Sequence, residues 1–511
     1  MAGTDISAGL PWRPAKLAGT PLSAIVELAG AASIAGRASI AGVVTGITAG
    51  SASVLSGDLF AALPGDHAHG AQYAERAKAA GAVAVLTDPA GAEIARNSGL
   101  PIIVVDAPRQ ILGVVSSRIY GDPSAAMRLV GITGTSGKTT TSCLVRAGLV
   151  ASGRISAMIG TLGVFAGPDT INIGFTTPEA PQLQAILAVM LERGICDVAM
   201  EVSSHALALG RVDGTRFEVG AFTNLSQDHL DFHTDMNAYF AAKSLLFDGR
   251  ARRELVCVDD DWGPLLRTPE TVTVSTGGRA ADWRAESITT GPDGSTRFEV
   301  LGPGPRFHTG CVIPGRYNVA NSLLALAILA ELDVDVVEVA PAVAAAQVPG
   351  RMQRLDHGQP FLVVIDYSHK PAGVTAALAA MRALTTGRLI IVLGCGGDRD
   401  RAKRPVMGRL AAENADVLIV TDDNPRSEDP ALIRAAMLAG ARAAGGSGAT
   451  VIEEGDRARA GAPALAMARA GDAVLIAGKG HETGQEVGGV MLAFDDVTVS
   501  AQALGALGFS A

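Results

Sequence analysis

An α/β protein of three domains is what this chain of 511 residues predicts. Three observations carry that expectation. Short apolar runs alternate with Ala- and Leu-rich stretches almost throughout, the mark of parallel strands covered on both faces by helices. One of those runs leads into Gly134-Thr135-Ser136-Gly137-Lys138-Thr139, a glycine-rich loop ahead of a helix. The alternation breaks twice, near 120–124 and near 348–351, and a length prior of about 150 residues per domain agrees with two breaks.

Taken in order, the expected strands are Val83–Thr87, Ile102–Val105, Arg128–Gly134, Asp197–Ser203, Gly220–Asn224, Leu255–Val258, Leu362–Asp366, Leu389–Leu393, Val417–Thr421 and Ala473–Ala477. Helical crossovers such as Pro181–Arg193 and Pro371–Leu384 join them. Between Trp283 and Pro314 short strands with Gly and Pro turns replace the alternation, which reads as a β-rich insertion. The expected organisation is a small N-terminal α/β domain over residues 1–125, a central P-loop domain with a parallel sheet over 126–352, and a C-terminal Rossmann-like domain over 353–511.

Hydrophobic residues make up 48% and charged residues 18% of the chain, a balance that excludes disorder. Net charge is −9 with no long basic run, so nucleic acid is not the expected partner. Five cysteines (143, 196, 257, 311 and 395) lie far apart with no Cys-x-x-Cys pair. That pattern fits a reducing cytoplasm and neither a disulfide framework nor a zinc site. Cys395 reads as a small buried residue. Asp5, Arg13 and Lys16 interrupt the N-terminus, so no signal peptide is expected. Residues 38–57 carry no charge, but six are Ser or Thr and four are Gly, which favours short strands and turns over a membrane helix.

The loop at 134–139 is a phosphate cradle. Glycines let backbone N–H groups point inward at an anion, the following helix start adds its dipole, Lys138 adds a point charge, and the Thr139 hydroxyl suits Mg²⁺. The common P-loop keeps four residues between its first Gly and Gly-Lys. Here Ile132 stands where that Gly would be, and counting from Gly134 leaves two. The loop, with Thr140 behind it, is expected to bind ATP or GTP.

Other candidates sit where strands end, the position at which α/β proteins build sites. Glu201, in Glu201-Val202-Ser203-Ser204-His205, can share a Mg²⁺ with Thr139, or can simply cap a helix. Asp228, His229, Asp231 and His233 form a polar cluster suited to a metal or a substrate, though Asp and His also cap helices. Lys243 lies in an apolar helix, where a lysine either snorkels to solvent or, if buried, becomes a reactive neutral amine. Arg351, at a domain boundary, can clamp a transferred phosphate. Four segments after apolar strands, at 366–369, 394–400, 423–426 and 478–482, should share one edge of the C-terminal sheet. Arg399, Asn424, Arg426 and Glu482 there form a set for a zwitterionic amino acid, because Arg grips carboxylates and Glu accepts from an ammonium.

In order along the chain, GTSGKTTT (134–141), TTPE (176–179), EVSSHAL (201–207), NLSQDHLDFH (224–233), YFAAKSLLF (239–247), GRYNVAN (315–321), PGRMQR (349–354), DYSHKP (366–371), GGDRDRAKRP (396–405), DNPR (423–426) and GKGHE (478–482) closely resemble the Mur ligases over nearly the whole chain. The resemblance implies ATP-dependent amide-bond formation on UDP-N-acetylmuramoyl-L-alanyl-D-glutamate. The order of motifs and the AAK helix resemble the branch that adds the third residue. DNPR resembles the form that takes meso-2,6-diaminopimelate rather than L-lysine, since Arg426 would lack a partner with lysine.

The resemblance also implies residue roles. Gly134, Thr135, Ser136, Gly137, Lys138, Thr139 and Thr140 would hold the ATP phosphates, and Asn318, Arg351 and Asp366 would touch adenine, phosphate and ribose. Thr139 and Glu201 would hold one Mg²⁺, and carbamylated Lys243 with His229 a second. Ser51, Thr176, Thr177, Ser203, Arg211 and Lys243 would meet the UDP-muramoyl dipeptide. Arg399, Asp423, Asn424, Pro425, Arg426, Gly478 and Glu482 would bind diaminopimelate. A cytoplasmic monomer without membrane insertion is implied, as is closure of the C-terminal domain to position the amine and exclude water. Unchanged compactness in scattering with an ATP analogue and dipeptide bound would count against that closure.

This chain departs from the family pattern at Gly50-Ser51-Ala52, where the usual Asp-Ser-Arg loses its charged pair, and at Gln227, Gln353, Lys370 and Ala372. None of these is a proposed metal ligand or phosphate binder. A folylpolyglutamate synthase would leave the N-terminal domain and DNPR unexplained. A P-loop regulatory module without ligase activity would leave Lys138, Glu201, Lys243 and His229 without a task.

Overall fold

The structure is a computed structural model that describes residues 12–31, 33–35, 42–65, 67–167, 169–171, 173–230, 232–291, 293–445 and 448–510. Asp231, Asp5 and part of the uncharged stretch at 38–57 lie outside the described residues. Two compact units emerge, Met1–Arg284 with Leu323–Ala340, and Ala285–Ser322 with Pro341–Ala511.

The first unit holds a two-stranded ladder, Thr20–Pro21 with Val43–Val44, and two larger sheets. The smaller runs in the order Ser33–Ala35, Ile102–Val104, Ala84–Thr87, Asp58–Ala61, Gly46–Thr48, parallel except for its first strand. Every residue of Asp58–Ala61 and Ala84–Thr87 is buried, as two-sided helix cover requires. In the larger sheet, Ser156–Gly160, Asp197–Glu201, Arg128–Thr133, Phe217–Phe222, Ala251–Cys257 and Val272–Ser275 run parallel in that order. A hairpin, Gly163–Ala166 with Asp169–Ile171, adds antiparallel strands beside Ser156–Gly160. Register sets Glu201 opposite Ile132 and Phe222 opposite Thr133. Three strands therefore end together, and the glycine-rich loop leaves from the middle one.

The helices follow local rules. Ala180–Glu192 starts with Pro181 in its first turn, where a missing N–H costs nothing, and stops at Gly194, whose φ of +72° returns the chain for Ile195 to bond Met190. Helix Lys138–Ala151 packs its buried Leu144, Val145 and Leu149 inward.

Two expected strands end two residues before their expected limits. Asp197–Glu201 stops before Ser203, whose hydroxyl instead accepts from Ala206 N–H and caps helix Ser204–Ala208. Phe217–Phe222 starts earlier than its most apolar residues and ends before Asn224, whose carbonyl and side chain both turn to the phosphate loop. The insertion consists of Trp283–Thr290, Thr296–Leu301 and Phe307–Cys311, the last two antiparallel.

The second unit contains a six-stranded sheet in the order Gln353–Leu355, Leu362–Asp366, Ala473–Ala477, Leu389–Leu393, Val417–Val420, Thr450–Glu453. All but the first strand are parallel. The segments at 366–369, 394–400, 423–426 and 478–482 thus leave one edge together. A buried ion pair braces that edge. Arg457 holds Asp496 at 2.7 Å and donates to the carbonyls of Ala477 at 2.9 Å and Asp422 at 3.4 Å. Losing either partner of such a pair costs about 3–5 kcal/mol, because the other charge stays buried.

Candidate active site

In the first unit the phosphate loop is folded by its neighbours. Gly134 and Gly137 have φ of +141° and +88°, and a Cβ on Gly134 would stand 1.9 Å from Thr223 Oγ1. Only glycine fits there. Asn224 templates the loop, its carbonyl accepting from Thr135 N–H at 2.8 Å and its Oδ1 from Ser136 N–H at 3.1 Å. Thr135 Oγ1 meets Tyr239 Oη at 3.2 Å. Burial pushes the Tyr239 phenol well above its ordinary value, so it stays a neutral hydroxyl.

Lys138 reaches back over the loop, with Nζ 2.8 Å from Gly134 O and 3.0 Å from Thr135 O. Lys243 does not snorkel. It is 1% exposed, its Nζ donates to Gly134 O at 2.7 Å, and it lies 4.6 Å over the Tyr239 ring. Both lysines converge on the loop, one from its own helix and one from helix Met236–Ser244.

Thr139 Oγ1 donates to Glu201 Oε2 at 3.0 Å, and Glu201 is 1% exposed. Thr161, beyond strand Ser156–Gly160, gives Glu201 its N–H at 2.8 Å and its hydroxyl at 3.1 Å. A Cβ on Gly160 would crowd Glu201 Oε1 at 2.2 Å. Thr161 was not among the expected residues, and only its place at a strand end signals it. Thr161 also meets Thr176 Oγ1 at 3.2 Å. Thr177 donates to Glu201 O and accepts from Ser203 N–H, and Arg211 donates to Thr177 O at 3.2 Å while facing Glu179 at 2.9 Å. Thr176, Thr177, Ser203 and Arg211 therefore adjoin the Thr139–Glu201 pair. Ser51 stands in a separate short turn, Ser51–Ser53.

The polar cluster after Phe222 divides. His229, at φ +53°, faces Asp228 at 3.2 Å, whereas His233 is buried against Ser204 Oγ at 3.0 Å and the Tyr239 ring. Among the described residues no three His, Cys, Asp or Glu side chains converge as a metal cage. The pair Thr139–Glu201 is nevertheless an all-oxygen set, which suits Mg²⁺ bound through one or two protein ligands and substrate phosphates.

The second unit carries the other candidates. Asn318 is buried between Pro314 O at 2.7 Å and Asn321 Nδ2 at 2.9 Å. Asp366 accepts from Met352 N–H at 2.7 Å and Ser368 N–H at 2.9 Å, and the Arg351 guanidinium lies 4.4 Å over the Tyr367 ring. A Cβ on Gly350, at φ +62°, would stand 2.1 Å from His481 N, so segment 350–352 is locked to the 478–482 loop.

At the sheet edge Asn424 Nδ2 donates to Glu482 Oε2 at 2.9 Å. Arg426, at φ +53°, sends Nη1 to Gly397 O at 2.7 Å and Nε towards Glu486 at 3.3 Å. A left-handed backbone on a bulky residue is strain of the kind that marks a binding site. Hairpin Gly484–Val487 with Val490–Ala493 supports the segment, since Arg426 N–H donates to Glu486 O and Gln485 Nε2 to Asp423 O. A Cβ on Gly478 would meet Asp423 Oδ2 at 2.7 Å. Arg399 is exposed, with Nη1 on Asp398 O, and its stem flanks Gly396 together with the Arg426 guanidinium, since a Cβ on Gly396 would stand 4.0 Å from Arg399 Cγ and 2.9 Å from Arg426 Nη1. Its loop is pinned by Glu428, whose carboxyl is held down at about 2 chiefly by the Arg404 hydrogen bond. Cys395 is buried, and burial pushes its thiol up to about 12. Three residues here went unexpected, namely Glu428, Glu486 and Lys479. Lys479 is fully buried between Asn424 Oδ1 and Glu482 Oε2.

A phosphate loop with a Thr–Glu oxygen pair, on a parallel sheet, together with a second parallel sheet bearing an Arg–Asn–Glu cluster, defines a multidomain enzyme of the P-loop class. Residues 132–329 match the Mur ligase middle domain, 350–480 the Mur ligase glutamate ligase domain, and 43–125 the Mur ligase family catalytic domain. A UDP-N-acetylmuramoyl-L-alanyl-D-glutamate–2,6-diaminopimelate ligase of Streptomyces coelicolor is 49% identical over 503 residues, which are 97% of this chain and 98% of that one. One of the same name from Corynebacterium glutamicum is 49% identical over 86% of this chain and 87% of its own. A solved structure of such a ligase is 31% identical with a TM-score of 0.68, covering 96% of this chain and all of the other. The chain belongs to the Mur ligase family, with its three-domain α/β fold and its dependence on ATP.

Proposed function

We propose that this chain is the ATP-dependent ligase that adds meso-2,6-diaminopimelate to UDP-N-acetylmuramoyl-L-alanyl-D-glutamate in peptidoglycan precursor synthesis. The observation that carries it is the pairing of a braced phosphate loop with Thr139–Glu201 in one unit and the Asn424–Arg426–Glu482 cluster in the other. The names of the half-identical relatives support the same substrates. The domain division 1–125, 126–352 and 353–511 goes with this reading, as does work by a monomer in the cytoplasm.

In the reaction the D-glutamate γ-carboxylate attacks the ATP γ-phosphate and expels ADP, the free amine of diaminopimelate adds to the acyl-phosphate carbonyl, and the tetrahedral adduct loses a proton and phosphate to leave the amide. Residues 134–140 form the phosphate cradle: Thr135 and Ser136 N–H stay on Asn224 and shape the loop, the helix-start N–H groups of Lys138, Thr139 and Thr140 would hold the phosphates, and Lys138 swings from its loop carbonyls to offset charge on the transferred group. Thr139 and Glu201 would hold one Mg²⁺, and His229 with carbamylated Lys243 a second. Bound Mg²⁺ supplies charge neutralisation for the phosphoryl transfer. The Lys243 amine is held against Gly134 O of the phosphate loop, and that proximity supports the carbamate reading. Asn318, Arg351 and Asp366 serve the nucleoside and phosphate. Ser51, Thr176, Thr177, Ser203 and Arg211 serve the UDP-muramoyl dipeptide. Arg399, Asp423, Asn424, Pro425, Arg426, Gly478 and Glu482 orient diaminopimelate.

Phosphate release from ATP is expected to require the dipeptide and the amino acid together. Release that continues at the same rate without either one would mark an ATPase, and no release with both present a mere nucleotide-binding module; either would sink the ligase reading.

A further inference from the structure

We infer that Lys479 is a positioning residue for the amino-acid substrate: its buried ammonium fixes the Asn424 amide and the Glu482 carboxylate in the one arrangement that leaves a donor and an acceptor side by side for an α-amino-acid centre. The inference rests on the proposed amino-acid site and deepens it.

Lys479 is 0% exposed at the end of strand Ala473–Ala477, an unusual place for an ammonium. It is tolerated there because Nζ donates to Asn424 Oδ1 at 3.0 Å and to Glu482 Oε2 at 2.8 Å. Asn424 Oδ1 also accepts from Glu486 N–H at 3.0 Å, which fills both of its lone pairs. Asn424 Nδ2 spends one hydrogen on Glu482 Oε2 at 2.9 Å. Glu482 Oε2 is then occupied by two donors.

Among the described residues, one Nδ2 hydrogen of Asn424 and the Oε1 atom of Glu482 remain. The first can donate to a carboxylate and the second can accept from an ammonium, the complement of a zwitterion. Without Lys479 the amide is free to turn over, and its donors would then meet Glu486 N–H instead of accepting from it. Glu482 would also lose its counter-charge. The buried Arg457 would still act on Asp423 and Glu482, and Arg426 on Glu486, but neither hydrogen-bonds the Asn424 amide.

Lys479→Met is the test, in the full-length enzyme with ATP, UDP-muramoyl dipeptide and meso-diaminopimelate. The KM for diaminopimelate should rise at least about tenfold, the order expected for lost hydrogen bonds to charged groups. The KM values for ATP and dipeptide should stay within about twofold, because those sites do not use Lys479. In an Asn424→Ala background the same substitution should have little further effect, since the two residues act as one unit. An unchanged KM for diaminopimelate would overturn the inference. So would a parallel loss for all three substrates that adds fully to the effect of Asn424→Ala, which is the signature of a structural residue. If Lys479→Met fails to fold, Lys479→Gln is read by the same criteria. Wild-type enzyme that ignores diaminopimelate would instead refute the proposed function itself.

Discussion

Lys243→Ala is expected to lower kcat by about three orders of magnitude and to recover part of that loss when a short-chain carboxylic acid is supplied. The magnitude follows from removing one anionic group beside a phosphoryl transfer, where a single electrostatic contact is worth about 10²–10³ in rate. The position supports it. Lys243 is buried, touches the Tyr239 ring, and meets the phosphate loop at Gly134 O. A lysine serving only to fill that space would be indifferent to added acid. A carbamate is a carboxylate on a nitrogen, so a small free carboxylate diffusing into the truncated site replaces its oxygens. The check is kcat against acid concentration, with ATP binding measured beside it to confirm that the loop still folds. Activity equal to wild type would rule the residue out as essential, and a loss that no acid repairs would leave the carbamate unsupported.

The second large effect is at Arg426. Arg426→Ala should reduce kcat/KM for meso-diaminopimelate by roughly 30- to 1,000-fold, the consequence of leaving a substrate carboxylate without its charged partner. The loss for lysine, which has no distal carboxylate, should be far smaller, so discrimination between the two collapses. Arg426→Lys should behave almost as poorly. The guanidinium is held in plane by Gly397 O on Nη1 and by Glu486 near Nε, and an ammonium cannot reproduce that fork. Competition between the two amino acids in one tube gives the ratio directly. A variant that keeps the wild-type ratio would show that specificity resides elsewhere.

Much of this was legible before any coordinates. The glycine-rich loop carries its own instructions, because a strand, two positive-φ glycines, Lys-Thr and a helix start can assemble in few ways. The ends of Leu362–Asp366, Leu389–Leu393, Val417–Val420 and Ala473–Ala477 were readable as one edge, since parallel strands present their C-termini together. Less readable was what depends on partners remote in sequence. Lys479 follows an apolar run and carries no signal of its own within the 478–482 segment. Its burial is set by Asn424 and Glu482, and only the first lies on another strand's end. Thr161 contributes to Glu201 from forty positions away with no motif of its own. His233 looked like a ligand beside His229, yet Ser204 and Tyr239 make it part of the packing. The apolar pattern carried Asp197–Ser203 past its end because Ser203 turns from pairing to capping, a choice made by the helix that follows.

The central claim is that the cluster on the second sheet selects an amino acid with a carboxylate at its far end. Phosphate release with ATP, UDP-N-acetylmuramoyl-L-alanyl-D-glutamate and a panel of amino acids tests it most directly. Rapid release with meso-diaminopimelate and little with L-lysine is the predicted result. Release with L-lysine but not with meso-diaminopimelate would contradict it.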